Sequence, residues 1–139
     1  MADTHEYLVN TKFPEFSLYD DDEKLVCRAD IEGKWTVIFF YPKDDSPGCT
    51  LQSCSFRDQY EQFTEKGILL YGVSSDSISS HRSFKKKYNL QYSLLSDNNS
   101  ELAKSLKLKR NFGFLDARVT FVINPEGYIT YSYTSQLGV

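Results

Sequence analysis

Cysteine is scarce in this chain, with three in 139 residues. So small and odd a number excludes a disulfide framework, and with it the compact secreted scaffolds that depend on one. Working thiols in a reducing compartment are the better reading, and the cytoplasm is the default location. No Cys-x-x-Cys pair occurs, which argues against a thioredoxin-type dithiol oxidoreductase. Histidine is scarcer still. His5 and His81 are remote from the cysteines in sequence, a poor set for structural zinc, and both are expected on the surface. Long apolar runs are missing too. The longest, Trp35 to Tyr41, is interrupted by Thr36 and falls far short of the roughly 20 residues that span a bilayer. The N-terminus has neither a basic segment nor an apolar core, so no signal peptide is expected. Repeats, low-complexity tracts and Pro/Gly/Ser-rich linkers are absent, which leaves one domain over residues 1–139. The net charge of -3 gives no general pull toward nucleic acid or anionic membrane. Lys85-Lys86-Lys87 reads as one solvated stretch of helix, and the acidic run Asp20 to Glu23 as a solvated turn.

The remaining composition is that of an ordinary globular domain, 40% hydrophobic and 25% charged. A chain of this length buries roughly two-thirds of its unfolded surface and needs no metal or disulfide to fold. Phe16–Tyr19 and Lys24–Arg28 form a short N-terminal hairpin around the acidic run. Trp35–Tyr41 is continuously apolar and rich in β-branched and aromatic residues, the pattern of a strand covered on both faces. Pro42 ends it. A helix follows from Ser46-Pro47 to about Lys66, then an apolar run at Ile68–Ser74. Helices are expected at Ser79–Tyr88 and Ser100–Leu108, a buried strand at Val119–Asn124, and a hairpin partner at Tyr128–Thr134. Buried strands alternating with helices define an α/β fold with a central mixed sheet flanked by helices. This combination points to a thioredoxin-like architecture, although other small α/β sandwiches share the pattern.

Chemistry concentrates in YPKDDSPGCTLQSCSFRD, residues Tyr41 to Asp58. Ser46 suits the N-cap, and Pro47 suits the first helical position because its missing N–H has no partner there anyway. Cys49 then lies in the first turn, among unpaired backbone N–H groups at the positive end of the helix dipole. Both effects favour thiolate over thiol, and the thiolate is the nucleophile. Cys54 follows five residues later. In an intact helix that separation is a rise of about 7.5 Å and a turn of about 140°, which a disulfide cannot bridge. Either the two never pair, or the first turns unwind. Gly48, Thr50, Ser53 and Ser55 are mediocre helix formers and make unwinding affordable.

Pro42, Ser46 and Cys49 reproduce the spacing Pro-x-x-x-Thr/Ser-x-x-Cys, and the chain resembles the peroxiredoxins on that basis. FFYPKDDSPGC and CSFRD resemble the bacterioferritin-comigratory-protein subgroup, also called peroxiredoxin Q, an atypical two-cysteine type. FGFLDARVTFVINPEG, residues Phe112 to Gly127, is similar to the arginine-bearing strand of that family. The likeness runs from about Phe13 to Gln136. It implies that Cys49 is the peroxidatic thiolate and becomes a sulfenic acid. It further implies that the Ser46 hydroxyl orients the peroxide, Ser being the minority choice there, and that Pro42 shields the sulfur from water. Arg118 would support the thiolate and the charge developing on oxygen, and Cys54 would resolve the sulfenic acid as an intramolecular disulfide. The implied substrates are hydrogen peroxide and organic hydroperoxides. A thioredoxin- or glutaredoxin-type donor would restore the dithiol, with no metal or organic cofactor, in a monomer or weak homodimer. The family usually continues into a C-terminal helix, whereas this chain stops at SQLGV; a short form, a truncated chain and a chain completed by a partner all fit.

Several residues compete for these roles. Cys27 lies in an expected strand without a capped helix start and reads as a packed thiol. Arg57, about 12 Å along an intact helix from Cys49, suits a structural ion pair better than the active site. Arg118 is preferred over Arg57 and Arg110 on the resemblance alone, since spacing does not bring it to Cys49. A thiol redox sensor, switched by the same disulfide, is the main alternative to an enzyme.

Overall fold

The computed structural model describes residues 5–111 and 114–136, apart from the side chains of Asn111 and Gln136. Phe112 and Gly113, within the stretch that resembles the arginine-bearing strand, and residues 137–139 lie outside the described residues.

Strand β3 (Thr36–Phe40) is buried along its whole length and sits inside a seven-stranded sheet of order β2-β1-β5-β4-β3-β8-β9. Its neighbours are β4 (Leu69–Ser74), which runs parallel to it, and β8 (Ala117–Ile123), which runs antiparallel. Side chains alternate across a strand. Ile38 and Phe40 therefore join one core with Val73, Leu95, Phe121 and Ile123, while Val37, Phe39 and Tyr41 join a second with Leu70, Leu94 and Cys49. Two apolar layers explain the unbroken apolar run. Helices α1 (Pro47–Glu65) and α2 (Ile78–Tyr88) cover the second layer with Phe56, Tyr60, Phe63 and Phe84. The short α3 (Glu101–Ser105) covers the first with Leu102 and Ala103.

The N-terminal hairpin pairs β1 (Ser17–Asp20) with β2 (Leu25–Cys27) and joins the sheet through antiparallel contact of β1 with β5 (Ser93–Ser96). Strand β5 also runs parallel to β4, and β9 (Ile129–Gln136) pairs antiparallel with β8. The central mixed sheet, its flanking helices and the hairpin follow the sequence expectation. Strand β5 was not expected, because a four-residue SLLS segment carries too little pattern; its neighbours supply the pairing. Also unanticipated is the small ladder of β6 (Arg110–Asn111) with β7 (Phe114–Leu115). The helix expected over Ser100–Leu108 is five residues long. Lys107 takes a left-handed conformation with φ 56°, and the Leu108 N–H turns back to the Ala103 carbonyl, a common way for a helix to stop.

Only half of the acidic run is the solvated turn expected of it: Asp22 and Glu23 are exposed. Asp20 and Asp21 are buried. Asp20 Oδ1 accepts the backbone N–H groups of Asp22 and Lys24, which closes the hairpin turn on itself. Asp21 reaches across to accept from the Leu94 N–H and from Lys85 Nζ at 3.0 Å. Lys85 is therefore not part of a merely solvated face, and Lys87 likewise pairs with Asp45. Neither histidine lies on the surface. His5 is buried with its Nδ1 3.0 Å from Thr134 Oγ1, and His81 is fully buried. Polar residues can be taken inside when specific partners meet them, and sequence does not reveal those partners.

Gly72 of β4 faces the second layer where there is no room for a side chain. A Cβ there would stand 2.8 Å from Phe39 Cζ and 2.9 Å from Leu94 Cδ2. Gly72→Ala should therefore destabilise the fold by about 1–3 kcal/mol, read as a lower denaturant midpoint with an unchanged slope.

Candidate active site

The carboxyl end of β3 delivers the chain into a short loop and then into α1. Pro42 is buried at the strand end. Ser46 occupies the N-cap with φ -75° and ψ 149°, and Pro47 opens the helix, as the sequence indicates. The Ser46 carbonyl accepts the Thr50 N–H at 2.8 Å. Its hydroxyl, however, does not cap the helix: it donates backward to the Lys43 carbonyl at 2.9 Å. The first-turn amides are thus left without a side-chain acceptor, beside a cysteine that is only 1% exposed. Such a helix start is suited to receiving negative charge.

Arg118 comes to the same place from β8. Its Nη1 donates to the Gly48 carbonyl at 2.6 Å and its Nη2 to Ser135 Oγ at 2.9 Å. The guanidinium therefore grips the residue immediately before Cys49, and its side chain is buried. Gly48 makes room for it, because a Cβ there would lie 2.8 Å from Arg118 Nη1. Cys54 sits farther along α1, half-buried. All three cysteines are free thiols, and α1 is continuous through Cys49 and Cys54. Arg57 pairs with Asp58 at 3.0 Å and donates to the Tyr88 carbonyl, the structural part expected of it. Arg110 is exposed in β6. Cys27 ends β2 with Sγ 3.5 Å from Ser17 Oγ.

Between the two cysteines of α1, Thr50 Oγ1, Gln52 Oε1 and Ser53 Oγ are buried and have no hydrogen-bond partner among the described residues. Tyr92 reaches the same turns and donates its hydroxyl to the Ser53 carbonyl at 2.8 Å. Burial holds the Tyr92 phenol well above its ordinary range.

A polar cluster that sequence reasoning missed lies beneath the loop. Tyr41 OH donates to Asp44 Oδ1 at 2.6 Å, and Ser80 Oγ donates to Asp44 Oδ2 at 2.8 Å. His81 Nδ1 lies 2.8 Å from the same Oδ2. The Asp44 N–H donates to Asp76 Oδ2. Burial raises the Tyr41 phenol well above its usual value, and the Asp44 carboxylate beside it adds to the rise. On the outer side, Asp45 accepts from Lys87 Nζ at 2.7 Å and from Tyr88 OH at 2.6 Å. The Lys87 bond first, then that of Tyr88, lowers the Asp45 carboxyl. Asp44 and Asp45 were read only as part of a family-like stretch, and nothing local in the sequence links them to α2. Among the described residues, Asp44, Asp76 and His81 form the one group whose ligand-type atoms could gather on a metal, all within 4.8 Å. These atoms already hydrogen-bond to one another or to neighbouring hydroxyls, and no cysteine is among them.

The sheet order, the helix-borne cysteine and the arginine on the adjacent strand describe a thioredoxin-fold thiol protein. Comparison with known proteins defines the group. The AhpC/TSA family profile matches residues 9–132. A chloroplastic peroxiredoxin Q from Oryza sativa subsp. japonica is 41% identical over 124 residues, covering 88% of this chain and 57% of the rice protein. A Coxiella burnetii relative named for peroxiredoxin bcp is 40% identical over 128 residues, covering 88% of this chain and 85% of its own length. The structure of the Xanthomonas campestris bacterioferritin comigratory protein, studied for its alkyl peroxide reduction activity, superposes with a TM-score of 0.78 at 30% identity. That match covers 86% of this chain and 80% of the Xanthomonas chain. This chain belongs to the AhpC/TSA family, in its peroxiredoxin Q and bcp branch. It spans 57% of the length of the rice relative.

The raised phenols set a pH expectation. A phenol whose folded pKa lies above its unfolded value near 10 resists ionisation in the native state. The stability it contributes is complete below about pH 10 and is lost as the pH rises beyond it. In an alkaline titration followed at 295 nm, Tyr41→Phe and Tyr92→Phe should each remove absorbance only from the late phase that accompanies unfolding.

Proposed function

We propose that the protein is a thiol-dependent peroxidase that reduces hydrogen peroxide and organic hydroperoxides. The observation that carries this reading is the buried Cys49 at a helix start whose amides have no side-chain cap, with Arg118 bound to the preceding carbonyl. The kinship with peroxiredoxin Q proteins and the peroxide chemistry of the Xanthomonas relative support it.

In this mechanism the Cys49 thiolate attacks the terminal oxygen of the peroxide. The S–O bond forms as the O–O bond breaks, and Cys49 becomes a sulfenic acid. The departing alkoxide or hydroxide is protonated to alcohol or water by the proton that Cys49 released in forming the thiolate. Helix amides and the Arg118 guanidinium are the donors for charge on sulfur and oxygen. The Ser46 hydroxyl orients the peroxide, and Pro42, buried at the strand end, keeps water away. The Cys54 thiol then attacks the sulfenic sulfur, releasing water and forming a Cys49–Cys54 disulfide. Because α1 spans both residues unbroken, its first turns must unwind for this step. A thioredoxin- or glutaredoxin-type dithiol supplies two electrons and two protons to restore both thiols. We place this activity in one domain over residues 1–139, acting as a monomer or weak homodimer in the cytoplasm, where free thiols persist. No helix among the described residues is long and apolar enough to cross a membrane.

Stopped-flow oxidation of the reduced protein by hydrogen peroxide, with mass spectrometry of the product, tests the reading. Fast loss of two thiols and a Cys49–Cys54 disulfide is expected; oxidation no faster than that of free cysteine would sink it. Multiple turnover with a dithiol donor separates an enzyme from a redox sensor, which would oxidise once and stop. Cys49→Ser should abolish peroxide consumption. Cys54→Ser should keep the first oxidation and lose recycling by the donor. Gly48→Ala, which drives a methyl group toward the Arg118 guanidinium, should slow the first oxidation about tenfold or more, in line with loss of one charge-stabilising contact.

A further inference from the structure

We propose that His81 is a positioning residue for the reaction of Cys49: through Asp44 it holds the Pro42–Ser46 loop in the shape that presents the thiol to peroxide. This rests on the peroxidase reading and extends it to a residue on a different helix.

Hydrogen bonds hold the His81 ring from both sides. The ring is 0% exposed, and both nitrogens are engaged. Nε2 lies 3.0 Å from the Leu95 carbonyl, which can only accept, so Nε2 carries a hydrogen. Nδ1 faces Asp44 Oδ2 at 2.8 Å. Asp44 also accepts the Tyr41 and Ser80 hydroxyls, and the Tyr41 hydroxyl lies 3.5 Å from the same Nδ1. The imidazole and the carboxyl group are therefore held together by a direct hydrogen bond. The pair is anchored to β5 at one end and to the site loop at the other.

The position of Asp44 gives that pair its leverage. It lies in the loop that joins β3 to α1. Ser46 turns its hydroxyl back to the Lys43 carbonyl, a bond inside the loop that does not tie it to α2. Asp45 holds a left-handed φ of 64°, which Asp adopts more readily than most residues and which contacts from α2 help to hold. These contacts form two sets. The outer set, Lys87 and Tyr88 on Asp45, is solvent-exposed, and exposed ion pairs hold weakly. The inner set, His81 and Ser80 on Asp44, is buried and charge-assisted, and such bonds are the stronger ones. Tyr41 also shares an apolar layer with Cys49, so the pair fixes the floor of the site as well as its loop.

Reactivity toward two reagents tests this in the full chain. Hydrogen peroxide requires the oriented site, whereas iodoacetamide requires only an accessible thiolate. His81→Ala should lower the second-order rate of Cys49 oxidation by tenfold or more while changing iodoacetamide alkylation by less than about threefold. His81→Asn, whose amide can donate to Asp44, should recover part of the loss. Ser80→Ala deletes one donor to Asp44 without opening the core. It should slow oxidation two- to fivefold and leave alkylation unchanged, which keeps the test decisive if His81→Ala does not fold. Equal loss of both reactivities, or wild-type oxidation in Ser80→Ala and His81→Asn, would overturn the positioning role. A wild-type protein that oxidises no faster than free cysteine would overturn the peroxidase reading and this role together.

Discussion

The uncapped start of α1 is the constraint around which the rest of the molecule is arranged. A helix N-terminus normally meets its free amides with a side-chain oxygen. Here the obvious candidate, Ser46, turns its hydroxyl away, and the amides are kept for something else. Leaving them open next to a buried sulfur is tolerable only if the surrounding chain is rigid. Strand β3 supplies that rigidity from inside the sheet, Arg118 from the neighbouring strand, and Asp44 from below. The loop is thereby fastened at both ends by elements distant from it in sequence.

Much of this arrangement was legible in the residues. The apolar stretch at Trp35–Tyr41 reads as a doubly covered strand, and both faces of β3 do meet apolar partners. Ser46-Pro47 marked the helix start to the residue, and Cys49 followed from it. Arg118 was chosen on family likeness alone; its grip on the Gly48 carbonyl is a contact across 70 positions that no local pattern encodes. The same limit hid His81 and Asp44. Each looks like a surface residue in its own segment, and only the packing of α2 on the loop turns the two into a buried pair. Strand β5 was lost for a related reason: four residues have little periodicity, and pairing with β4 and β1 makes them a strand.

Burial of polar groups recurs through the structure in two forms. At Asp20, Asp21 and Asp44 each carboxylate is met by several donors, so charge within the fold specifies where the hairpin, α2 and the site loop must lie. Sequence reading assigned the acidic run and the lysines to solvent because it scores residues singly. The structure shows that Asp21 with Lys85 and Asp45 with Lys87 act as cross-ties.

The second form is the opposite case. Thr50, Gln52 and Ser53 carry buried oxygens that nothing among the described residues satisfies, and all three fall between Cys49 and Cys54. Each such atom gives up hydrogen bonding to water in the wound helix, at a cost of about 1–3 kcal/mol, and regains it when the turn opens. The free-energy gap between closed and open backbone is thus narrower over these residues than over the rest of α1. Native-state amide exchange would see that gradient as a hot end and a cold end of a single helix. Two neighbouring segments of one continuous element would then differ in lifetime, though not in secondary structure.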